Sequence, residues 1–249
     1  MRSRRLARAS EHAQVRPGDW PVADEVLDDS LDQTLLRMML SGQTGRIARA
    51  AAASHCVYAA QLAELALSGQ LLDRDGRPLR ARGALERAGY LLECLPRRLA
   101  WESWDELFWS EPRLMATART LATQQLIDRG IWRRAPRTRS ACWIGARFQQ
   151  LYPGEGERLA AWVDEGTWRH RQLSQHRDFR RATLRSLLRL HRGDPEGAVL
   201  AVGNELEAGF DAASAEHRAA AAVIRGASWA LTLRSTRWLV PEFSGGAAG

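Results

Sequence analysis

Hydrophobic residues recur with the period of an α-helix in the VYAAQLAELAL stretch of the chain. Leu62, Leu65 and Ala66 fall at positions i, i+3 and i+4, so they share one helix face. Gln61 and Glu64 fall off that face. An apolar face opposite polar positions is typical of a helix that packs against a core. We therefore predict an amphipathic helix here.

A β-hairpin is predicted directly after this helix. Gly69 stands where a helix C-terminal glycine is expected. The apolar pairs at residues 71–72 and 78–79 flank an Arg-Asp-Gly turn at residues 74–76. An Asp-Gly pair between short apolar segments is a strong hairpin signal. The helix and the hairpin together form one helix-to-hairpin unit.

A second helix-to-hairpin unit is predicted later in the chain. Residues 122–132 have the sequence ATQQLIDRGIW, in which Gly130 ends a helix, and a hairpin-like segment follows. Pro112 suits the first turn of this helix, because proline is tolerated there. The helix is expected to run from that proline to about Arg129.

The remaining hydrophobic pattern predicts further helices and a largely helical core. Trp101, Trp104 and Phe108 form an aromatic stripe at helical spacing, which favours core packing over a ligand platform. Other predicted elements are an apolar run at 35–40, two helices within 82–109 broken at Pro96, a basic helix within 168–192, and Ala-rich helices at 195–209 and 212–235. We predict a mainly α fold, a single helical-bundle domain with peripheral β-hairpins.

The domain organisation follows from the composition of the two ends. Residues 1–18 carry five arginines and one acid and end at a Pro-Gly pair, which predicts a flexible basic arm. Residues 19–240 form the predicted helical domain, and residues 241–249 a disordered tail. The domain begins with a run of acids from residue 19 to 32. These acids could fold back on the arm or favour a helix N-terminus.

The charge balance points to a polyanionic partner. The 249 residues carry a formal net charge of +7, and the sequence pI is about 10.4. Nucleic acid and an acidic membrane surface are the two partner classes that such a balance favours. Every basic residue except histidine is arginine, which coding bias alone could explain. The planar guanidinium nevertheless suits phosphate better than an ammonium group does.

The motifs of several protein classes are missing. Cys56, Cys94 and Cys142 form neither a disulfide framework nor a metal site, which favours a reducing cytoplasm. No secretory signal and no membrane-spanning run is found. The chain also lacks a phosphate-binding glycine loop, a zinc-protease motif and a nucleophile elbow. We therefore predict a binding protein, not an enzyme, with no cofactor and no metal.

Two arginine-rich segments are candidates for contact with an anionic surface. Residues 131–148 hold five arginines and no acid, and Trp143 and Ile144 lie among them. Such a hairpin is either solvated or touches a membrane through its apolar residues. In the predicted helix at 168–192, Arg181 and Arg185 belong to a stripe of arginines spaced four residues apart. This basic amphipathic helix could lie against a membrane, nucleic acid or water.

Two segments resemble the Golgi phosphoprotein 3-like family. Residues 62–71, LAELALSGQL, are similar to the family segment L-x-ELALRGRL, and residues 125–132, QLIDRGIW, are similar to LVEKGVL. An apolar element with a glycine loop at 35–45 precedes them, and an arginine-bearing hairpin that ends in Tyr-Pro at 152–153 follows. The resemblance spans roughly residues 34–235.

The resemblance implies a function as well as a helical fold. Family members are peripheral membrane proteins that bind phosphoinositide headgroups, chiefly phosphatidylinositol 4-phosphate, through a basic surface pocket. Eukaryotic members hold Golgi glycosyltransferases as protein clients. The Ala- and Arg-rich, lysine-free composition suggests a bacterial member, in which the location would be the cytoplasm and the inner face of the membrane.

The family pocket is only partly matched in this sequence. It combines a tryptophan after the first glycine loop, an arginine early in the ELAL helix, and two arginines three residues apart before KGVL. Arg119 falls on the second of those paired arginines, whereas Ala116 falls on the first and Arg113 lies one turn earlier. The tryptophan position falls at residues 49–50, and the early arginine near Tyr58.

Four arginines are the resulting headgroup-binding candidates. Arg46 and Arg49 come from the loop in which the family has its tryptophan, so charge could replace that contact. Arg119 and Arg113 lie on the helix before the second glycine signal. Two other functions remain open. A helix followed by a hairpin is also a winged-helix unit that binds nucleic acid, and a protein adaptor without a lipid ligand needs no anion site at all.

Overall fold

The computed structural model describes residues 29–81, 101–109, 112–135, 147–150, 154–164, 175–207 and 214–237. These residues form eight α-helices and two antiparallel two-stranded sheets. The elements in chain order are α1 (Leu31–Met39), α2 (Ala50–Leu67), β1 (Leu71–Arg74), β2 (Arg77–Arg80), α3 (Trp104–Trp109), α4 (Pro112–Asp128), β3 (Trp132–Arg134), β4 (Phe148–Gln150), α5 (Glu155–Asp164), α6 (Gln175–Arg192), α7 (Pro195–Glu207) and α8 (Ala215–Arg237). The predicted mainly α fold with peripheral hairpins is confirmed.

Glycine ends α2 and α4, as the sequence predicts. Gly69 has a φ of +71° and Gly130 a φ of +73°, which is the left-handed conformation that glycine adopts without steric cost. The Gly69 N–H donates to the Ala66 carbonyl (3.0 Å), and the Gln70 N–H donates to the Leu65 carbonyl (2.8 Å). This pair of bonds is the Schellman motif, which satisfies the last carbonyls of a helix.

Each of the two hairpins begins within five residues of the end of a helix. In the first, Leu71 pairs with Arg80 and Arg74 pairs with Arg77, which leaves a two-residue turn. That turn has positive φ at both positions, +54° at Asp75 and +79° at Gly76. Two positive φ angles define the turn type whose twist matches a hairpin, so the Asp-Gly prediction is confirmed. The second hairpin pairs β3 with β4.

The core surrounds α2, which is buried on nearly all sides. Helices α8, α4, α1 and α6 pack around it. A helix that is apolar all round belongs in the centre of a bundle, and α2 therefore has a broader buried surface than its i, i+3, i+4 stripe predicts. Gln61, which the pattern puts outside that stripe, is fully buried and donates to Asp32 Oδ2 (2.8 Å) and the Ala118 carbonyl (3.2 Å).

The predicted aromatic stripe is part of this core. Trp101, Trp104 and Phe108 are 3%, 6% and 0% exposed, so core packing is confirmed. The Phe108 ring stacks on His55 at 4.8 Å between centroids and meets Tyr58 edge-on at 5.6 Å. These contacts attach the short helix α3 to the central helix.

The acids before and within α1 have different roles. The Asp29 carboxylate accepts hydrogen bonds from Arg37 Nη1 and Arg129 Nη2, each at 2.7 Å. Asp32 lies in the first turn of α1, where its negative charge interacts favourably with the positive end of the helix dipole. The interpretation as a helix N-terminal feature therefore holds for Asp32. Asp29 instead connects α1 to the end of α4.

Several sequence predictions concern residues outside the described ranges. They are the basic arm at 1–18, the part of the predicted helix pair at 82–100 that includes the break at Pro96, the hairpin residues Trp143 and Ile144, and the tail at 241–249. None of the described helices combines the length and the hydrophobicity that a membrane-spanning segment requires.

Candidate functional site

The site is built around the N-terminus of α2. Arg119, on α4, extends to this end and donates from Nη1 to the carbonyl oxygen of Ala50 at 2.8 Å. Ala50 is the first residue of α2, and 69 positions separate the two residues in sequence. The fold thus joins the arginine that the family resemblance singles out to the end of the loop that carries Arg46 and Arg49.

Arg49 is the N-cap residue directly before α2, and its backbone is left-handed with a φ of +48°. Its Nη1 donates to the carbonyl oxygen of His191 at 2.6 Å. That carbonyl belongs to the last turn of α6, where the helix dipole is negative, so the cation is favoured there. A guanidinium has five N–H donors, and the bond to His191 uses one of them. Arg49 is an exposed residue.

Arg46 lies three residues earlier in the same loop and is half-buried. Its Nε and Nη2 atoms are shielded from solvent and have no hydrogen-bond acceptor in the part of the chain that the structure describes. Its backbone carbonyl accepts the Ser41 N–H at 3.0 Å, which closes the loop. A shielded donor without an acceptor costs free energy, so Arg46 contributes two unsatisfied donors and a positive charge to this loop.

The N-terminus of α2 has no side-chain cap. Neither the N-cap residue nor any acid in the first turn neutralises its positive dipole, since Arg49 makes no capping bond and the first turn holds only alanines. The first N–H groups of a helix lack partners within the helix and point outward along its axis. Exposed N–H groups, a positive dipole and nearby arginines are together suited to bind a phosphate.

His191 lies beside this loop, and the sequence alone did not suggest it. Its Nε2 contacts the Ala48 carbonyl at 3.0 Å. Burial lowers the pKa of His191, the hydrogen bond to Ala48 opposes that change, and the charges of Arg49 and Arg192 lower the pKa further. The imidazole is therefore neutral at neutral pH, so Nε2–H is the donor to Ala48. No sequence spacing marks this contact, because 143 positions separate the two residues.

Arg113 is exposed on α4, six residues before Arg119. A separation of six residues is roughly 9 Å along a helix axis. Within the described residues, Arg113 forms no ion pair and no side-chain hydrogen bond. The structure thus connects Arg119 and Arg49 to the α2 N-terminus, keeps Arg46 in the same loop, and leaves Arg113 as a separate exposed charge on α4.

The arginine stripe on α6 is not a free surface. Arg181 is 5% exposed, and its guanidinium lies over the Trp162 ring at 4.4 Å and donates to the Trp162 carbonyl. Arg185 is half-buried and donates to the Asp164 carbonyl at 3.3 Å. Both partners belong to α5, which packs on this face of α6. Arg181, a candidate for contact with a membrane, is therefore covered by α5, and Arg185 is engaged within the fold.

The buried face of α6 agrees with the hydrophobic pattern. Phe179, Leu184, Leu187 and Leu190 are 2% exposed or less. Arg180 is buried too, because its guanidinium forms an ion pair with Glu64 of α2 at 2.7 Å. Periodicity identified the apolar face correctly, but it could not show that the arginine face is covered.

Comparison with known proteins adds no assignment, because the chain matches no family model, no curated protein and no solved structure.

Proposed function

We propose that the chain is a peripheral membrane protein that binds anionic phospholipid headgroups, phosphatidylinositol 4-phosphate among them. The proposed binding surface, here called the α2 basic surface, consists of Arg46, Arg49, Arg113 and Arg119 with the N-terminus of α2. The observation that carries the proposal is the hydrogen bond from Arg119 to Ala50, because it connects that arginine to an uncapped helix N-terminus.

The chemistry of this surface is suited to a phosphomonoester. Guanidinium groups bind phosphate oxygens through paired, charge-assisted hydrogen bonds. Backbone N–H groups at the helix end add donors that need no side chain. The shielded Nε and Nη2 atoms of Arg46 are further donors without acceptors in the described structure.

The resemblance of the LAELALSGQL and QLIDRGIW segments to Golgi phosphoprotein 3-like proteins also supports a headgroup ligand. The surface lacks the tryptophan and two of the three arginines of the family pocket, so charge has to supply most of the attraction. Each arginine near an anionic membrane contributes about 1 kcal/mol, so binding should weaken stepwise as arginines are removed. The proposed location is the inner face of a membrane.

Vesicle cosedimentation of the full chain tests this proposal. Arg119→Ala should weaken binding to vesicles containing phosphatidylinositol 4-phosphate by about fivefold, and adding Arg113→Ala should weaken it by a similar factor again. Arg225→Ala is the matched control, because Arg225 is an exposed arginine on α8. Vesicles of phosphatidylcholine alone should not bind, and added salt should weaken all binding, since the attraction is screened.

Parallel titration with duplex DNA at the same salt concentration separates the alternative functions. Vesicle binding that depends on Arg119 and exceeds DNA binding supports the proposal. Equal effects of the Arg119 and Arg225 variants would refute the site, because the attraction would then reflect net charge alone. Tight, sequence-selective DNA binding would instead indicate a nucleic-acid-binding protein, and no binding to either would indicate an adaptor.

A further inference from the structure

A cavity of about 740 Å³ opens beside the first hairpin. Its walls are the hairpin on one side and the segment leading into α3 on the other, with Trp101 and Pro78 as its apolar lining. Both of these residues are buried, and the Trp101 N–H donates to the Pro78 carbonyl at 3.2 Å, which joins the two walls. No residue of the α2 basic surface lines the cavity. Its volume is in the range of small-molecule sites.

Two arginines stand opposite each other on the hairpin wall. Arg74 and Arg77 are cross-strand partners, so their side chains project from the same face of the hairpin. Both are exposed, and within the described structure neither forms an ion pair or a side-chain hydrogen bond. Like charges at directly opposite positions destabilise a hairpin. An oxyanion bound between them would remove this repulsion and accept hydrogen bonds from both.

The other wall carries a carboxylate that is equally free. Glu102 is exposed, and its side chain has no ion-pair partner among the residues that the structure describes. Its position is held by the backbone, because the Glu102 N–H donates to Glu106 Oε2 at 2.7 Å. Asp75, in the hairpin turn, also lines the cavity and is exposed without an ion pair in the described ranges. Arg74 and Arg77 thus line one cavity with Asp75 and Glu102, and these four described residues form no ion pair with one another.

We propose that this cavity binds a small zwitterion that carries an oxyanion and an amine separated by a short chain. The oxyanion contacts Arg74 and Arg77, the amine contacts Glu102, and the connecting chain lies against Trp101 and Pro78. Arg74 and Arg77 form no ion pair with Glu102, so a ligand with separated charges satisfies both walls at once. This site is independent of the headgroup-binding proposal. The shared chemistry fits a free amino-acid-like compound as well as a phosphoethanolamine headgroup.

Isothermal titration calorimetry of the full chain tests the cavity with defined probes. Phosphoethanolamine and γ-aminobutyrate each carry both charges, whereas inorganic phosphate and ethanolamine carry one. We expect at least one of the two zwitterions to bind saturably and at least about tenfold more tightly than either single-charge compound. Vesicles containing phosphatidylethanolamine, compared with phosphatidylcholine vesicles, then distinguish a lipid headgroup from a free ligand. Both of these sources agree with the proposal.

Two conservative variants test the roles of the walls. Arg77→Gln and Glu102→Gln should each weaken zwitterion binding by about tenfold, because each removes one of the two charge contacts. Arg225→Gln, at an exposed position on α8 outside both proposed sites, is the control and should leave binding unchanged. Both tested positions are exposed, so circular dichroism should show an unchanged fold. The proposal is overturned if neither zwitterion binds saturably up to about 10 mM, if phosphate alone binds as tightly, or if the wall variants bind like the control.

Discussion

Loss of Arg37 should destabilise the protein strongly, because this arginine holds a buried carboxylate. Arg37 is 5% exposed and pairs with Asp29 Oδ2 at 2.7 Å through Nη1 and with Glu155 Oε1 through Nη2. Glu155 is fully buried at the start of α5. Arg37→Met keeps most of the apolar side-chain volume and removes the charge. Glu155 then loses its only ion-pair partner within the described residues.

The expected cost is about 3–5 kcal/mol, the range for a buried pair that loses one partner. A typical domain is stable by about 5–15 kcal/mol, so this is a large fraction of the total. Arg129→Met is the matched control. Its side chain pairs with the same Asp29 but is 43% exposed, so its ion pair should be worth less than about 1 kcal/mol.

Urea unfolding followed by circular dichroism measures these costs. The unfolding midpoint of Arg37→Met should shift to a lower urea concentration, with little change in the slope of the unfolding free energy against urea. The double variant Arg37→Met with Glu155→Met should recover most of the loss, because no unpaired charge then remains buried. If Arg37→Met costs less than about 1 kcal/mol, or if the double variant is no more stable than the single one, the explanation by an unpaired buried charge is wrong.

Two further predictions concern a helix end and a titratable group. Gly69→Ala should destabilise the protein by about 1–2 kcal/mol, because alanine is strained at a φ of +71°. Gly203→Ala, within α7 and with open space at its Cβ position, should instead stabilise the protein by up to about 1 kcal/mol. Urea unfolding midpoints of the two variants that move in the same direction would contradict this prediction. Burial lowers the pKa of His191 from 6.5, so the imidazole binds a proton more readily in the unfolded chain than in the folded chain. The free energy of unfolding should therefore be retained above about pH 6.5 and should fall as the pH decreases below that value. Melting temperatures between about pH 5 and pH 7.5 measure this fall, and His191→Gln should show less of it; an unchanged pH dependence in that variant would exclude His191 as its source.

The sequence predicted those parts of the fold that depend on neighbouring residues. The end of α2 at Gly69, the end of α4 at Gly130 and the turn at residues 75–76 were all anticipated. In each case the determining factor is local, since glycine alone adopts positive φ at little cost and Asp-Gly suits a two-residue hairpin turn. Hydrophobic periodicity likewise identified Trp104 and Phe108 as core residues.

Tertiary structure decided which charges are available. Arg181 and Arg113 are both arginines on helices, yet α5 covers Arg181 through Trp162 and nothing comparable covers Arg113 among the described residues. The sequence pattern of α6 shows an arginine face but not the helix that packs on it. The contact between Arg119 and Ala50 is likewise invisible in the sequence, because 69 residues separate them. Local periodicity reports the faces of one helix, whereas burial and ion pairing depend on which other elements pack against those faces.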